Sequence, residues 1–241
     1  MIRAQILATV GAIFVAQLSP SQRDAVDEYR SALTAVESRA TGATIEDIFG
    51  KARVVGDALQ EPAGDGRSTI ESLTPQAFEE LQKTLRGLIV NRDEVILVRP
   101  DADFFVALAA KYGTAEDRRF FAAYKTTYPD SVWPVYVQQQ TDYSGCTTFG
   151  DGKLVATYRL WSRFHRDVRG NYSDDAQAEW LRVGSELTTS TCACGDRSSV
   201  ERELQQFLDA FPGAPGTSTI ASRLRELKEG RSAIRLNCIS G

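Results

Sequence analysis

Apolar residues recur at steps of three and four along most of this chain, the spacing that puts them on one face of an α-helix. Val26, Tyr29, Leu33 and Val36 follow Ser19-Pro20-Ser21-Gln22, a capping box with proline at the first helical position. Thr44 opens a second stripe of Ile45, Ile48, Ala52, Val55 and Leu59. Thr74-Pro75 opens a third, with Phe78, Leu81, Leu85 and Leu88 on one face. A helix over Ala102–Tyr112 stops at Gly113, and Thr114-Ala-Glu-Asp117 caps its successor. Leu154, Tyr158, Trp161, His165 and Val168 make a strong amphipathic helix. Ser173 starts another, carrying Ala176, Trp180, Val183 and Leu187. Ser198-Ser-Val-Glu201 reads as a capping box before Val200, Leu204, Phe207 and Phe211, and Ile220, Leu224 and Leu227 mark a last helix ending at Gly230.

Between the stripes the chemistry changes. Residues 61–68 (EPAGDGRS) read as a loop. Glu94 to Arg99 holds four consecutive branched apolar residues before Pro100, which suits a short buried strand. Pro129 to Gly152 has no helical period and is rich in Pro, Gly, Thr and aromatics. Ala233 to Ile239 places Ile234, Leu236 and Cys238 on alternate positions, the pattern of a strand. The expected fold class is mainly α: about eight helices in orthogonal or bundle-like packing, with two or three short strands. With 241 residues, residues 22–241 suffice for a single helical domain, or for two lobes meeting near 129–135.

The N-terminus points to export. Met1-Ile2-Arg3 supplies a positive start and Ile6 to Ala16 an apolar run broken only by Thr9 and Gly11. Roughly 20 apolar residues are needed to cross a bilayer, so the run suits the core of a secretory signal peptide over residues 1–21 rather than a membrane span. A cut after Ala16 puts Phe14 at the −3 position, where a small residue is wanted, and a cut after Ser21 puts Ser19 there. A buried N-terminal helix is the competing reading.

Cys146, Cys192, Cys194 and Cys238 are even in number and all lie in the C-terminal half. In an oxidising compartment they staple that half together. Direct bonding of Cys192 to Cys194 would close a strained ring, which leaves 146–192 with 194–238, or 146–194 with 192–238. A zinc site from three cysteines and His165 fits less well, because the only close pair is C-x-C.

Composition removes several chemistries. One histidine excludes a multi-histidine metal centre, and a formal net charge of −4 argues against nucleic acid as a partner. The chain carries no phosphate-binding glycine loop, no dinucleotide fingerprint and no nucleophile-elbow serine motif. No cofactor and no metal are expected. A nucleophilic Cys146–His165 pair is conceivable only if a disulfide fails to form. Asn171-Tyr172-Ser173 matches a glycosylation triplet, meaningful only in a eukaryotic secretory route.

The best candidate for a ligand-binding surface is the segment holding Trp133, Tyr136, Asp142 and Tyr143, where flat aromatics alternate with Gln138, Gln139 and Gln140. Such a mixture suits a glycan face or a protein contact. The competing and simpler reading is that the aromatics cover the helices and the glutamines are ordinary surface. The functional expectation is therefore a periplasmic or secreted helical protein that binds a protein or cell-envelope component without catalysis. The alternative is an envelope hydrolase working through a carboxylate pair, with Asp142 the first acid to consider.

Overall fold

The computed structural model describes residues 18–61, 66–92, 96–129, 133–141, 144–168 and 170–238. Among these residues the chain forms ten helices and four short strands. The helices are α1 (Pro20–Glu37), α2 (Ile45–Gln60), α3 (Thr69–Ser72), α4 (Pro75–Thr84), α5 (Ala102–Tyr112), α6 (Ala115–Thr127), α7 (Lys153–Asp167), α8 (Ser173–Thr189), α9 (Arg197–Ala210) and α10 (Thr217–Lys228). The strands are β1 (Leu88–Asn91), β2 (Leu97–Pro100), β3 (Val137–Thr141) and β4 (Ser144–Thr147), paired as two antiparallel hairpins. The fold class is mainly α, as the apolar spacing implies. The single turn α3 is too short to leave a periodic stripe; its capping box joins Ser68 and Glu71.

The chain divides after Ala122, inside α6, into two compact units. In the first, α1 and α2 lie side by side, and Gln22 near the start of α1 donates to the Ala58 carbonyl near the end of α2 at 2.8 Å. Val26, Tyr29, Leu33 and Val36 are buried, as are Ile45, Ile48, Ala52, Val55 and Leu59. Phe49 is the hub of an aromatic cluster: Phe105, Phe120 and Phe121 surround it edge-on at centroid distances of 5.3, 5.4 and 5.3 Å. Edge-on contact sets the positive rim of one ring against the negative face of another.

Gly56 lets the backbone of β2 lie against α2, because a Cβ there would fall 2.6 Å from the Val98 carbonyl oxygen. Leu88 departs from expectation. It is the first residue of β1, paired with Pro100, rather than part of the α4 face. The helix stops at Thr84, and Gly87 at φ +82° turns the chain by a left-handed conformation that a side chain would resist. The strand expected over Glu94 to Arg99 is displaced to Leu97–Pro100, and residues 93–95 lie outside the described residues.

In the second unit α7 packs on α8 and α10 packs on α9. Trp161 is fully buried on α7, and its indole N–H donates to Thr127 Oγ1 at 2.8 Å. Tyr158, Phe207 and Phe211 form an aromatic cluster with centroid separations of 4.9, 4.9 and 5.2 Å. The N-cap of α9 is Asp196 rather than Ser198. Asp196 accepts from Ser199 N–H at 2.8 Å and from the Ser198 hydroxyl at 2.9 Å, so Ser198 serves as a donor to the cap rather than as the cap.

Two disulfides close this unit, Cys146–Cys194 and Cys192–Cys238. They choose one of the two pairings that the sequence left open. The C-terminal segment bonds through its backbone to residues 191–195, yet among its described residues only Arg235 forms a bridge, with Cys192. The expected strand is therefore interrupted, because Asn237 turns away at φ +46°. Ile239 lies outside the described residues.

Candidate functional site

The sequence-predicted binding segment leads into and forms β3, and β4 follows it. Tyr136, Val137 and Thr148 lock its base: Thr148 N–H donates to the Tyr136 carbonyl at 2.9 Å, and Val137 N–H to the Pro134 carbonyl at 2.8 Å. Trp133 is half-buried, whereas Tyr136 is fully buried. Gln138 and Gln139 are exposed on β3, and the Gln140 amide donates to the Cys238 carbonyl. Asp142 and Tyr143 lie outside the described residues. β4 continues into the disulfide framework, for Cys146 is its third residue and Thr147 bridges to Ala193.

Tyr136 lies beside a polar cluster built mainly by α8. Glu179 is buried, accepting from the Tyr128 hydroxyl at 2.8 Å through Oε2 and from Arg182 at 2.7 Å through Oε1. The same Arg182 Nη1 reaches the Tyr128 hydroxyl. Two turns beyond Glu179, Glu186 Oε2 accepts from Thr147 Oγ1 at 2.9 Å, and that hydroxyl also pairs with Ser190 at 2.6 Å. Residues 179, 182 and 186 are spaced by three and four, so one side of α8 presents them together, with Ser190 continuing the row at the helix end.

Burial pushes the Tyr128 and Tyr136 phenols well above the ordinary tyrosine range, and the Glu179 carboxylate pushes them further. Both tyrosines are therefore neutral at physiological pH. Burial alone would lower the Arg182 pKa, but the Glu179 carboxylate and the hydrogen bond to the neutral Tyr128 hydroxyl oppose it, and the guanidinium stays charged.

A second carboxylate serves the backbone. Glu203 on α9 is fully buried and accepts from the N–H groups of Gly150, Gly152 and Val155. Glu186, by contrast, is half-buried at the rim of the α8 cluster. His165 is half-buried and stacks on Trp180, centroids 5.5 Å apart and planes at 20°. Cys146 is in a disulfide and supplies no thiolate, so a Cys146–His165 nucleophilic pair does not exist here. Among the described residues no group of three His, Cys, Asp or Glu side chains is arranged to hold a metal ion. Among the same residues no helix is long and apolar enough to cross a membrane.

No family model, curated protein or solved structure matches this chain.

Sequence reasoning misses Glu179, Arg182, Glu186 and Glu203. Each sits one position away from an apolar stripe residue: Glu179 beside Trp180, Arg182 beside Val183, Glu186 beside Leu187, Glu203 beside Leu204. An ionisable group so placed is at the edge of the buried face, where it must find a partner. That adjacency is the available signal. It does not name the partner.

Proposed function

We propose that this chain is an exported protein of an oxidising compartment, periplasmic or secreted, which binds a protein or cell-envelope component through the β3–β4 hairpin and the Trp133 segment before it. The observation that carries the reading is the pair of disulfides sharing the Cys192–Cys194 tripeptide. Bonds of this kind persist outside reducing cytoplasm. They also anchor the hairpin at Cys146, and through Gln140 and Cys238, so that Gln138 and Gln139 stand on a held rather than a loose strand. A pre-ordered polar edge with a neighbouring indole loses little entropy on binding.

Two of the buried carboxylates, Glu179 and Glu203, support binding rather than hydrolysis. A general acid or nucleophile must exchange its proton or bond during turnover. Glu179 has both oxygens engaged, and Glu203 is committed to three backbone donors.

Co-sedimentation of the oxidised protein with envelope fractions of its source cells tests the reading. Retention is expected to fall at least about tenfold for Trp133→Ala and for the Gln138→Ala/Gln139→Ala double variant, and to be unchanged for the exposed Val54→Ala, because deleting a central contact of a small interface removes about 1.4 kcal/mol or more. Equal retention of all variants overturns the assignment of the surface. Release of soluble fragments that stops with Glu186→Gln would favour the hydrolase instead.

A further inference from the structure

Residues 1–17 of the 1–21 stretch that sequence alone assigns to a leader lie outside the described residues, whereas Leu18 and Ser19 are working parts of the fold. Leu18 is 4% exposed, as deep as Leu33 and Val36 of α1 at 5% each. The Ser19 hydroxyl accepts from Gln22 N–H, and the Gln22 side-chain oxygen accepts from Ser19 N–H at 3.0 Å. The Gln22 side-chain amide donates to the Ala58 carbonyl at 2.8 Å and to Thr69 Oγ1 at 2.7 Å. The capping box thus ties the start of α1 to α2 and α3.

A cut after Ser21 would satisfy the small-residue rule at both −1 and −3. It would also remove Leu18 from the core, take away the cap, delete Pro20 from the first helical turn and put a new charged amine on Gln22. A cut after Ala16 has a small residue at −1 but Phe14 at −3, and it keeps every one of these contacts. The peptidase reads the chain before it folds. The fold decides which product keeps its first helix.

We propose that Ala16–Gln17 is the processing site of this protein. The step is amide hydrolysis by a signal peptidase: water adds across the bond, Ala16 leaves as a carboxylate and Gln17 becomes the new amino terminus. The proposal rests on the export reading above, and the experiment separates the two.

The full chain is produced in a host with an oxidising export route, and the exported fraction is analysed by N-terminal sequencing and intact mass. The expected first residue is Gln17, as such or cyclised. A first residue of Gln22, or any other start, overturns the assignment while leaving export standing. Met1 retained on the exported protein, or no exported protein, overturns the export reading itself. Ala16→Pro is expected to abolish the Gln17 product, and its persistence would overturn the site. Chains beginning at Gln17 and at Gln22 are then unfolded in urea. The second is expected to show the lower midpoint, and equal midpoints would remove the structural basis of the proposal.

Discussion

Glu203 caps a helix to which it does not belong: its Oε2 accepts from Gly152 N–H at 2.8 Å, where α7 begins. Gly152 has a left-handed conformation and no side chain with which to cap α7 itself. Oε2 also takes Gly150 N–H at 2.8 Å, and Oε1 takes Val155 N–H at 3.1 Å. The carboxylate thereby meets the positive end of the helix as well as three donors. Glu203→Ala is expected to cost about 3–5 kcal/mol, since it strands buried N–H groups. Glu203→Gln keeps the shape and one acceptor, and should cost roughly half as much. Urea midpoints measure both, and a loss below about 1 kcal/mol for the alanine variant would show that the cap is not needed.

The disulfides join residues 48 and 46 positions apart. Loops of that length give about 4 kcal/mol each on the chain-entropy account. Replacing Cys192 and Cys238 together by serine is expected to remove most of one such contribution. Reduction of the native protein should lower its unfolding midpoint further than that double variant does. Unchanged midpoints after complete reduction, verified by alkylation and mass, would contradict the stapling role.

Two glycines of α2 make a matched pair. Gly56→Ala places a methyl group 2.6 Å from the Val98 carbonyl oxygen, a backbone atom that cannot swing aside. The strain, about 1–3 kcal/mol, exceeds the helix-propensity gain of about 1 kcal/mol. Gly50→Ala meets nothing within 4 Å. That variant should raise stability by up to about 1 kcal/mol. Thermal or urea unfolding of both would refute the close approach of β2 if they shift the same way.

Alkaline titration probes the α8 cluster. Burial raises the Tyr128 and Tyr136 phenols in the folded protein above the unfolded value of about 10. The folded state then holds those protons more tightly, so their contribution is complete below about pH 10 and is lost as pH rises beyond it. Stability is expected to fall steeply above that pH, and less steeply in Tyr136→Phe. Phenolate absorbance from these residues should appear with unfolding rather than before it. Full ionisation of all tyrosines in the folded protein near pH 10 would disprove their burial.

Local chemistry made much of this legible. Ser19 and Gln22, Thr44, Thr74 and Thr114 each start a helix as their side chains predict, because a cap is satisfied within four residues. The apolar stripes named the buried faces of α1, α2, α7 and α10 for the same reason. Ser198 misled because a second good capping residue, Asp196, stood two residues earlier and takes the Ser199 N–H. Leu88 misled because an apolar residue three positions past Leu85 continues a helical stripe on paper, while Gly87 turns the chain between them. Of the candidate binding residues, Tyr136 stood out by its aromatic company, but its complete burial was not written there.

By itself the sequence determined the long helices, an extended segment in each hairpin region and the positions of the cysteines, since period, caps and turn residues act within a few positions of the chain. Tertiary structure alone decided that Cys146 meets Cys194, that Glu203 caps α7 and that Glu179 joins Tyr128 to Arg182. The first residues of those pairings stand 48, 51 and 51 positions from their partners at Cys194, Gly152 and Tyr128. A bond across such a distance depends on where packing brings two helices or strands, which no local pattern encodes.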